Sequence, residues 1–191
     1  MSNKNSYLVI IPARLGSERL PNKPLKILGD LPLIAHTYNG VKNMFQHVYI
    51  ATDSAEICDL CESLNMPYIK TSRQHRNGTT RTLEAYQLLK DQYDYIINVQ
   101  GDEVFISEKI LNPLVNLLET KHPEAATLQA PIKDKDCASN VFVVSNTRNE
   151  AIYFSRSPIP SSRGNSSVRF QHIGVYAYTP QALHSYCNLS P

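Results

Sequence analysis

Glycine is scarce in this sequence. There are seven in 191 residues, and only Gly16 lies in the loop that follows the first apolar run. A dinucleotide fingerprint needs three glycines at fixed spacing. A Walker A loop needs two, with Lys-Ser or Lys-Thr directly after the second, and here Lys23 is followed by Pro24. An anion in that loop would be held by side chains as much as by backbone amides. Cysteine is equally sparse. Cys58, Cys61, Cys137 and Cys187 make no zinc spacing beyond one isolated pair, which no second pair or histidine cluster answers. Cys58 and Cys61 fall in a helical pattern, which favours core or surface thiols over a redox pair. No apolar run approaches the roughly 20 residues of a spanning helix, so a helical membrane protein is excluded. A formal charge of +2 without a long basic run argues against nucleic acid as a partner. The first six residues, Met1 to Ser6, carry no signal-peptide core, so a cytoplasmic location is expected. Internal repeats and low-complexity tracts are absent too.

What remains is a chain with 42% hydrophobic and 19% charged residues, long enough for one domain with a sizeable core. Its first landmark is Leu8 to Ile11, a short β-branched run stopped by Pro12, as expected of a strand buried on both faces. The loop after it carries Arg14, Arg19 and Lys23, with only Glu18 opposing them. Gly16 gives it backbone freedom, while Pro21 and Pro24 stiffen its exit. Three cations at the carboxyl end of a buried strand suit a polyanion such as a triphosphate, because that edge is where open α/β sheets bind ligands. The competing reading is a solvated basic loop.

Further along, Asp30 is placed to cap a helix with Pro32 in its first turn, running to about Met44. Val48 to Thr52 reads as a second strand, ending at Asp53. Ser54 to Leu64 reads as a helix with Ile57, Leu60, Cys61 and Leu64 on one stripe and Glu56 in the first turn. Pro67 to Lys70 is a brief third strand. After a polar connection, Asn77-Gly78 marks a turn, and Thr79 or Thr80 can cap a helix to about Tyr93. Tyr95 to Gln100 is a fourth strand, finishing in Gly101-Asp102-Glu103. Ile110, Leu111, Leu114, Leu117 and Leu118 make another amphipathic helix. The alternation predicts an α/β fold with parallel strands and right-handed crossovers. Beyond it the character changes. Ala126 to Ile132, Val141 to Ser145, Ala151 to Phe154 and His172 to Tyr178 read as strands, Asn146 to Glu150 as a turn, and Ser161 to Ser167 as a mobile loop. Pro180 opens a last helix.

Asp102 and Glu103, directly after a strand and beside a cationic loop, are natural Mg²⁺ ligands in a nucleotide site, since magnesium takes one or two carboxylates plus substrate phosphates. An acidic pair after a strand is equally often a plain turn. The Asn77 to Arg81 turn could offer amides and hydroxyls to a base or ribose, or its threonines could merely cap. His75 and His172 read either as scaffold or as chemistry. Arg156, after Tyr153-Phe154, suits an acidic substrate.

Six blocks carry a more specific signal. They are Ile-Pro-Ala-Arg-x-x-Ser-x-Arg-Leu-Pro-x-Lys-Pro-Leu from Ile11, Ala51-Thr-Asp53, Gly78-Thr79-x-Arg81, Asn98-Val-Gln-Gly-Asp-Glu103, Tyr153-Phe-Ser-Arg156 and His172-x-Gly-x-Tyr-x-Tyr178. Together they closely resemble the 3-deoxy-manno-octulosonate (Kdo) cytidylyltransferases across nearly the whole chain. The resemblance implies a Rossmann-like nucleotidyltransferase fold, a three-layer α/β/α sandwich with a mostly parallel sheet and an inserted antiparallel part. It implies a nucleotide-binding half over 1–120 and a sugar-acid-binding half over 121–191. The family reaction is attack of the sugar's anomeric hydroxyl on the α-phosphate of CTP, giving CMP-Kdo and pyrophosphate for lipopolysaccharide assembly. Residue by residue, the resemblance implies that Arg14, Arg19 and Lys23 hold the triphosphate. It puts Asp102 on Mg²⁺, with Arg14, Lys23 and Asp102 as the catalytic set. Pro12, Ala13, Ser17, Ala51, Asp53, Arg73, Gly78, Thr79 and Arg81 would line the nucleotide site. Gln100 would lie between cytidine and sugar, and Arg156, His172 and Tyr176 would receive the sugar acid. A cytoplasmic homodimer is implied, with CTP and Kdo as small-molecule partners.

The sequence departs from the family pattern at four places. Val104 stands where Pro usually follows Gln-Gly-Asp-Glu, which predicts a looser turn. Asn77 replaces a serine in the nucleotide turn. Phe142 stands where a strand lysine is usual, removing a cation. The Gly-x-Asp-Thr-Pro-Glu-Asp segment, whose first Asp is the second metal carboxylate, is not among the 191 residues. For a protein of this length the expectation is therefore weak or absent synthetase activity. The alternatives are a CTP-binding homologue without catalysis and a cytidylyltransferase for a different sugar acid.

Overall fold

The computed structural model describes residues 7–16, 20–132, 140–161 and 168–189. Ser17, Glu18 and Arg19, with Cys137 and most of the Ser161 to Ser167 loop, lie outside the described residues. Contacts divide the chain into two units, Met1–Ala126 with Val175–Pro191, and Thr127–Gly174. Residues 121–191 thus fall in both units: 127–174 form the second, and the chain returns to the first at Val175.

The first unit is built on parallel strands. β1 (Tyr7–Ala13) pairs in parallel with β4 (His47–Thr52) on one side and β6 (Tyr95–Val99) on the other, and β4 pairs in parallel with β5 (Tyr68–Lys70). The last residues of β10 (Phe170–Tyr178), from Val175 to Tyr178, close this side antiparallel to β6. Leu8 to Ile11 and Tyr95 to Val99 are all buried, which explains why both runs lack polar alternation. Alternate residues serve opposite faces. Leu8, Ile10 and Ile96 join Ala85 of α3 (Gly78–Leu89) and Leu183 of α5 (Pro180–Cys187) in one core cluster. The crossovers from β1 to β4 through α1 (Leu33–Val41) and from β4 to β5 through α2 (Ala55–Ser63) run outward from β1, and β5–α3–β6 returns to its other side. Right-handed connections therefore put α1 and α2 on the face opposite α3. Strand order reverses between β1 and β6, which creates a topological switch point at their carboxyl ends.

Local chemistry explains where the elements differ from expectation. Asp30 does not cap a helix. It sits with Gly29, at φ 63°, in the turn of a small hairpin, β2 (Ile27–Leu28) against β3 (Leu31–Pro32), and α1 starts after Pro32 without a side-chain cap. A 3-10 turn over Lys23–Leu25 precedes this hairpin. Helix α1 ends at Val41, and Met44 belongs to the following turn. Within α1 only glycine fits at position 40, because a Cβ there would run into the Ile106 carbonyl oxygen. Helix α2 is capped by Ser54 Oγ, which accepts from the Ile57 N–H at 3.2 Å. Ile57, Cys58 and Cys61 are buried, but Leu64 is the residue after the last turn and stays exposed. Burial pushes the Cys61 thiol up to about 12, as expected of an inert core thiol. Neither Thr79 nor Thr80 caps α3. Asn77 does, through Oδ1 accepting from Thr80 N–H at 3.0 Å, so the amide that replaces a family serine is itself a strong cap. Helix α3 stops at Leu89 because Lys90 adopts a left-handed conformation, and Tyr93 returns to the core. Helix α4 (Glu108–Lys121) buries Leu111, Leu114 and Leu118, while Leu117 is exposed.

The second unit carries β7 (Ala125–Pro131) from Thr127 onward, β8 (Phe142–Ser145), β9 (Ala151–Ser155) and the start of β10. β8 pairs antiparallel with β9 and with Phe170–Gln171 of β10. Phe142 is fully buried there, so the position that carries a cation in the family pattern is filled by a core side chain.

Candidate active site

The carboxyl ends of β1, β4, β5 and β6 deliver Arg14, Asp53, Thr71 and Gln100 to one edge of the sheet. At the switch point, Lys23 Nζ lies 2.6 Å from Asp102 Oδ2, so the cationic loop and the acidic turn meet across 79 positions of sequence. Both side chains are partly exposed, at 36% and 45%, and a pair of that exposure contributes at most about 1 kcal/mol. It can open at little cost when a ligand competes for either partner. The acidic turn is closed by Glu103 N–H to Gln100 O at 3.0 Å and Ile106 N–H to Glu103 O at 3.1 Å, so Val104 does not loosen it. Two glycines let the backbones approach. A Cβ at Gly101 would lie 3.1 Å from the Pro12 carbonyl oxygen, and one at Gly78 would lie 2.9 Å from the Pro12 ring. Ala13 and Ala51 are buried in β1 and β4, and Thr79 lies in the first turn of α3.

An open cavity of about 390 Å³ lies beside this edge, within the range of small-molecule sites. Arg14, Asp53, Arg73 and Arg81 all reach its wall, as do Glu56 and His75. Arg81 is 3% exposed and held at two points. Its Nη1 donates to Thr71 Oγ1 at 2.6 Å, and its Nη2 lies 2.6 Å from Asp53 Oδ1 in an ion pair rather than an aligned hydrogen bond. Arg81 and Asp53 therefore neutralise each other, and Arg14 and Arg73 supply the exposed positive charge. The Glu56 carboxyl sits below its usual range because the Ser54 hydroxyl and its own N–H donate to it, with Arg73 adding to the effect.

Tyr176 sits opposite Asn98 in the β6–β10 register and stacks on Tyr178. Burial pushes its phenol up, as do Tyr186 and Glu103. Of the residues foreseen for the sugar acid, Arg156 and His172 belong to the second unit. Arg156 is exposed just after β9. His172 Nε2 lies 2.8 Å from Thr127 Oγ1 with Phe154 edge-on, and burial lowers its basicity. Sequence reading missed Glu84 and Thr71. Neither has a local signal, since each acts on a partner nine or more positions away.

Asp102 fits a magnesium ion in kind, as a hard carboxylate oxygen beside a cationic loop. Among the described residues, no group of three or more His, Cys, Asp and Glu side chains could hold a metal by itself. That donor set suits an ion whose remaining ligands are phosphates and water.

A doubly wound sheet with cations and a carboxylate at its switch point places the chain in the nucleotidyltransferase class, and residues 8–191 match the family model for Cytidylyltransferase. Two curated relatives are 3-deoxy-manno-octulosonate cytidylyltransferases. The one from Parabacteroides distasonis is 39% identical over 93% of this chain and 76% of its own length. The one from Polynucleobacter necessarius is 40% identical over 100% of this chain and 79% of its own. A solved structure of CMP:2-keto-3-deoxy-manno-octonic acid synthetase complexed with CTP superposes with a TM-score of 0.85 at 34% identity, covering 97% of this chain and 78% of that one. A cytidylyltransferase from Leptospira borgpetersenii, at 20% identity and a TM-score of 0.63 over 97% and 65% of the two chains, shares the fold. The chain belongs to the 3-deoxy-manno-octulosonate cytidylyltransferase family.

Proposed function

We propose that this protein transfers CMP from CTP to 3-deoxy-manno-octulosonate. The anomeric oxygen bonds to the α-phosphorus, the α–β phosphoanhydride bond breaks, pyrophosphate leaves and the hydroxyl proton passes to solvent. The observation that carries this reading is the Lys23–Asp102 pair at the β1/β6 switch point, a cation and a metal-type carboxylate within reach of one triphosphate. In this reading Arg14, Lys23 and Arg19 neutralise the phosphates as charge moves onto the leaving pyrophosphate. Asp102 is the residue that would hold Mg²⁺, which supplies Lewis-acid neutralisation of phosphate charge when bound. Pro12, Ala13, Ser17, Ala51, Gly78 and Thr79 shape the nucleotide site, and Arg73 faces it. Gln100 lies between cytidine and sugar, and Arg156, His172 and Tyr176 receive the sugar acid. No covalent intermediate is needed, because orientation and charge neutralisation suffice for an in-line displacement. The product serves lipopolysaccharide assembly in the cytoplasm, and the working form is a homodimer. No helix among the described residues is long and apolar enough to cross a membrane.

The test is product analysis by mass spectrometry, with each of four nucleoside triphosphates and several sugar acids. The expected result is a CMP-sugar formed from CTP and Kdo, with Mg²⁺ required. Pyrophosphate formed equally well without any acid, or from ATP in preference to CTP, would contradict the reading.

A further inference from the structure

The segment from Thr71 to Asn77 carries Arg73 along the cavity wall. It is anchored at both ends. Thr71 N–H donates to Thr52 O at 2.8 Å and its hydroxyl accepts from Arg81, while Asn77 caps α3. Between these anchors Gln74 N–H donates to Ser72 Oγ within the segment at 3.1 Å, and the ties to α3 run to Glu84 and Thr80. Glu84 accepts from the Ser72 N–H at 2.9 Å and contacts His75 Nε2 closely, and His75 Nδ1 lies 3.2 Å from Thr80 Oγ1. The imidazole is thus clamped between two groups one turn apart on the same helix. His75 is 14% exposed at the side chain and Glu84 31%. Burial opposes ionisation of Glu84, but the His75 ring and the Ser72 N–H outweigh it and hold the carboxyl below its usual range. Nothing in the proposed phosphate chemistry uses either residue.

We propose that His75 and Glu84 are positioning residues for the nucleotide: the imidazole, clamped between Glu84 and Thr80, fixes residues 72–76 against α3 and holds Arg73 at the cavity wall. This rests on the reading of that cavity as the nucleotide site. Without the clamp the segment keeps its anchored ends but its middle is released, and Arg73 must be ordered again each time a nucleotide binds. The loss falls on nucleotide affinity, because the ordering entropy is then spent at the binding step.

The experiment measures CTP affinity by calorimetry, and thermal midpoints, for the unaltered protein, His75→Ala, Glu84→Ala, the double variant and the conservative Glu84→Gln. Each alanine variant is expected to bind CTP about tenfold more weakly, and the double variant no more weakly than either single one, because both remove the same clamp. Glu84→Gln, which keeps an acceptor for Ser72, is expected to recover most of the affinity. Unchanged CTP affinity in the alanine variants would overturn the proposal. So would losses that add in the double variant and follow the fall in thermal midpoint, as a purely structural role requires. If the alanine variants do not fold, His75→Gln and Glu84→Met, which fill the same space without the clamp, carry the same comparison, and affinity unchanged in both overturns the proposal. Absence of CTP binding by the folded, unaltered protein would instead overturn the nucleotide reading.

Discussion

Asp102→Ala is expected to lower pyrophosphate release from CTP and Kdo by at least about a hundredfold while leaving the thermal midpoint within a few degrees. The two halves of that expectation have different physical origins. Asp102 is 45% exposed, and its pair with Lys23 is a solvated contact worth little to the fold. In the proposed reaction it is the strand-end carboxylate beside the cationic loop, and no cluster of three or more metal-ligating side chains among the described residues could replace it. Activity within about threefold of the unaltered protein would show that Asp102 is a turn residue and nothing more. Lys23→Gln separates the partners further: on the proposed reading it frees Asp102 and removes a phosphate contact, so metal binding should survive and the rate should fall.

Arg81→Met has the largest expected effect on stability. Arg81 is 3% exposed, and its guanidinium donates to Thr71 while its charge offsets Asp53, tying the ends of β4 and β5 to the first turn of α3. Removing it leaves a carboxylate that is only 22% exposed without its counter-charge, and breaking a buried pair from one side costs about 3–5 kcal/mol. The residual exposure of Asp53 puts the effect at the lower end of that range. The urea midpoint should fall accordingly, and adding Asp53→Asn should restore part of it by removing the stranded charge. A change below about 1 kcal/mol in the single variant, or a further drop in the double, would show that the ion pair is incidental.

The framework was legible because it follows from runs of residues. Leu8 to Ile11 is a continuous apolar stretch and Tyr95 to Val99 is interrupted only by Asn98, as suits strands covered on both faces, and each leads into the candidate site. The cations after β1 and the carboxylate after β6 stand out in the sequence in the same way, and Lys23 lies 2.6 Å from Asp102. Short-range features were harder. Gly29-Asp30 has the composition of a helix entry and also of a tight turn, and the hairpin competes successfully because Gly29 takes a positive φ. Asn77 outcompetes two threonines as cap for the same reason of position, its carbonyl oxygen being the one set to receive Thr80 N–H. The His75–Glu84 clamp was not readable at all. Its partners lie nine positions apart across a loop–helix boundary, where neither period 2 nor period 3.6 applies. Arg81, marked by its motif as a nucleotide contact, lines the cavity but spends its hydrogen bonds on the scaffold.

Calorimetric titration of the folded protein with CTP, UTP, ATP and GTP asks whether the edge formed by β1, β4, β5 and β6 is a cytidine triphosphate site. Saturable binding of CTP in preference to the other three, weakened by Arg14→Ala and Lys23→Ala, is the expected result. Folded protein that binds none of the four, or binds them without preference and regardless of Arg14 and Lys23, would contradict it.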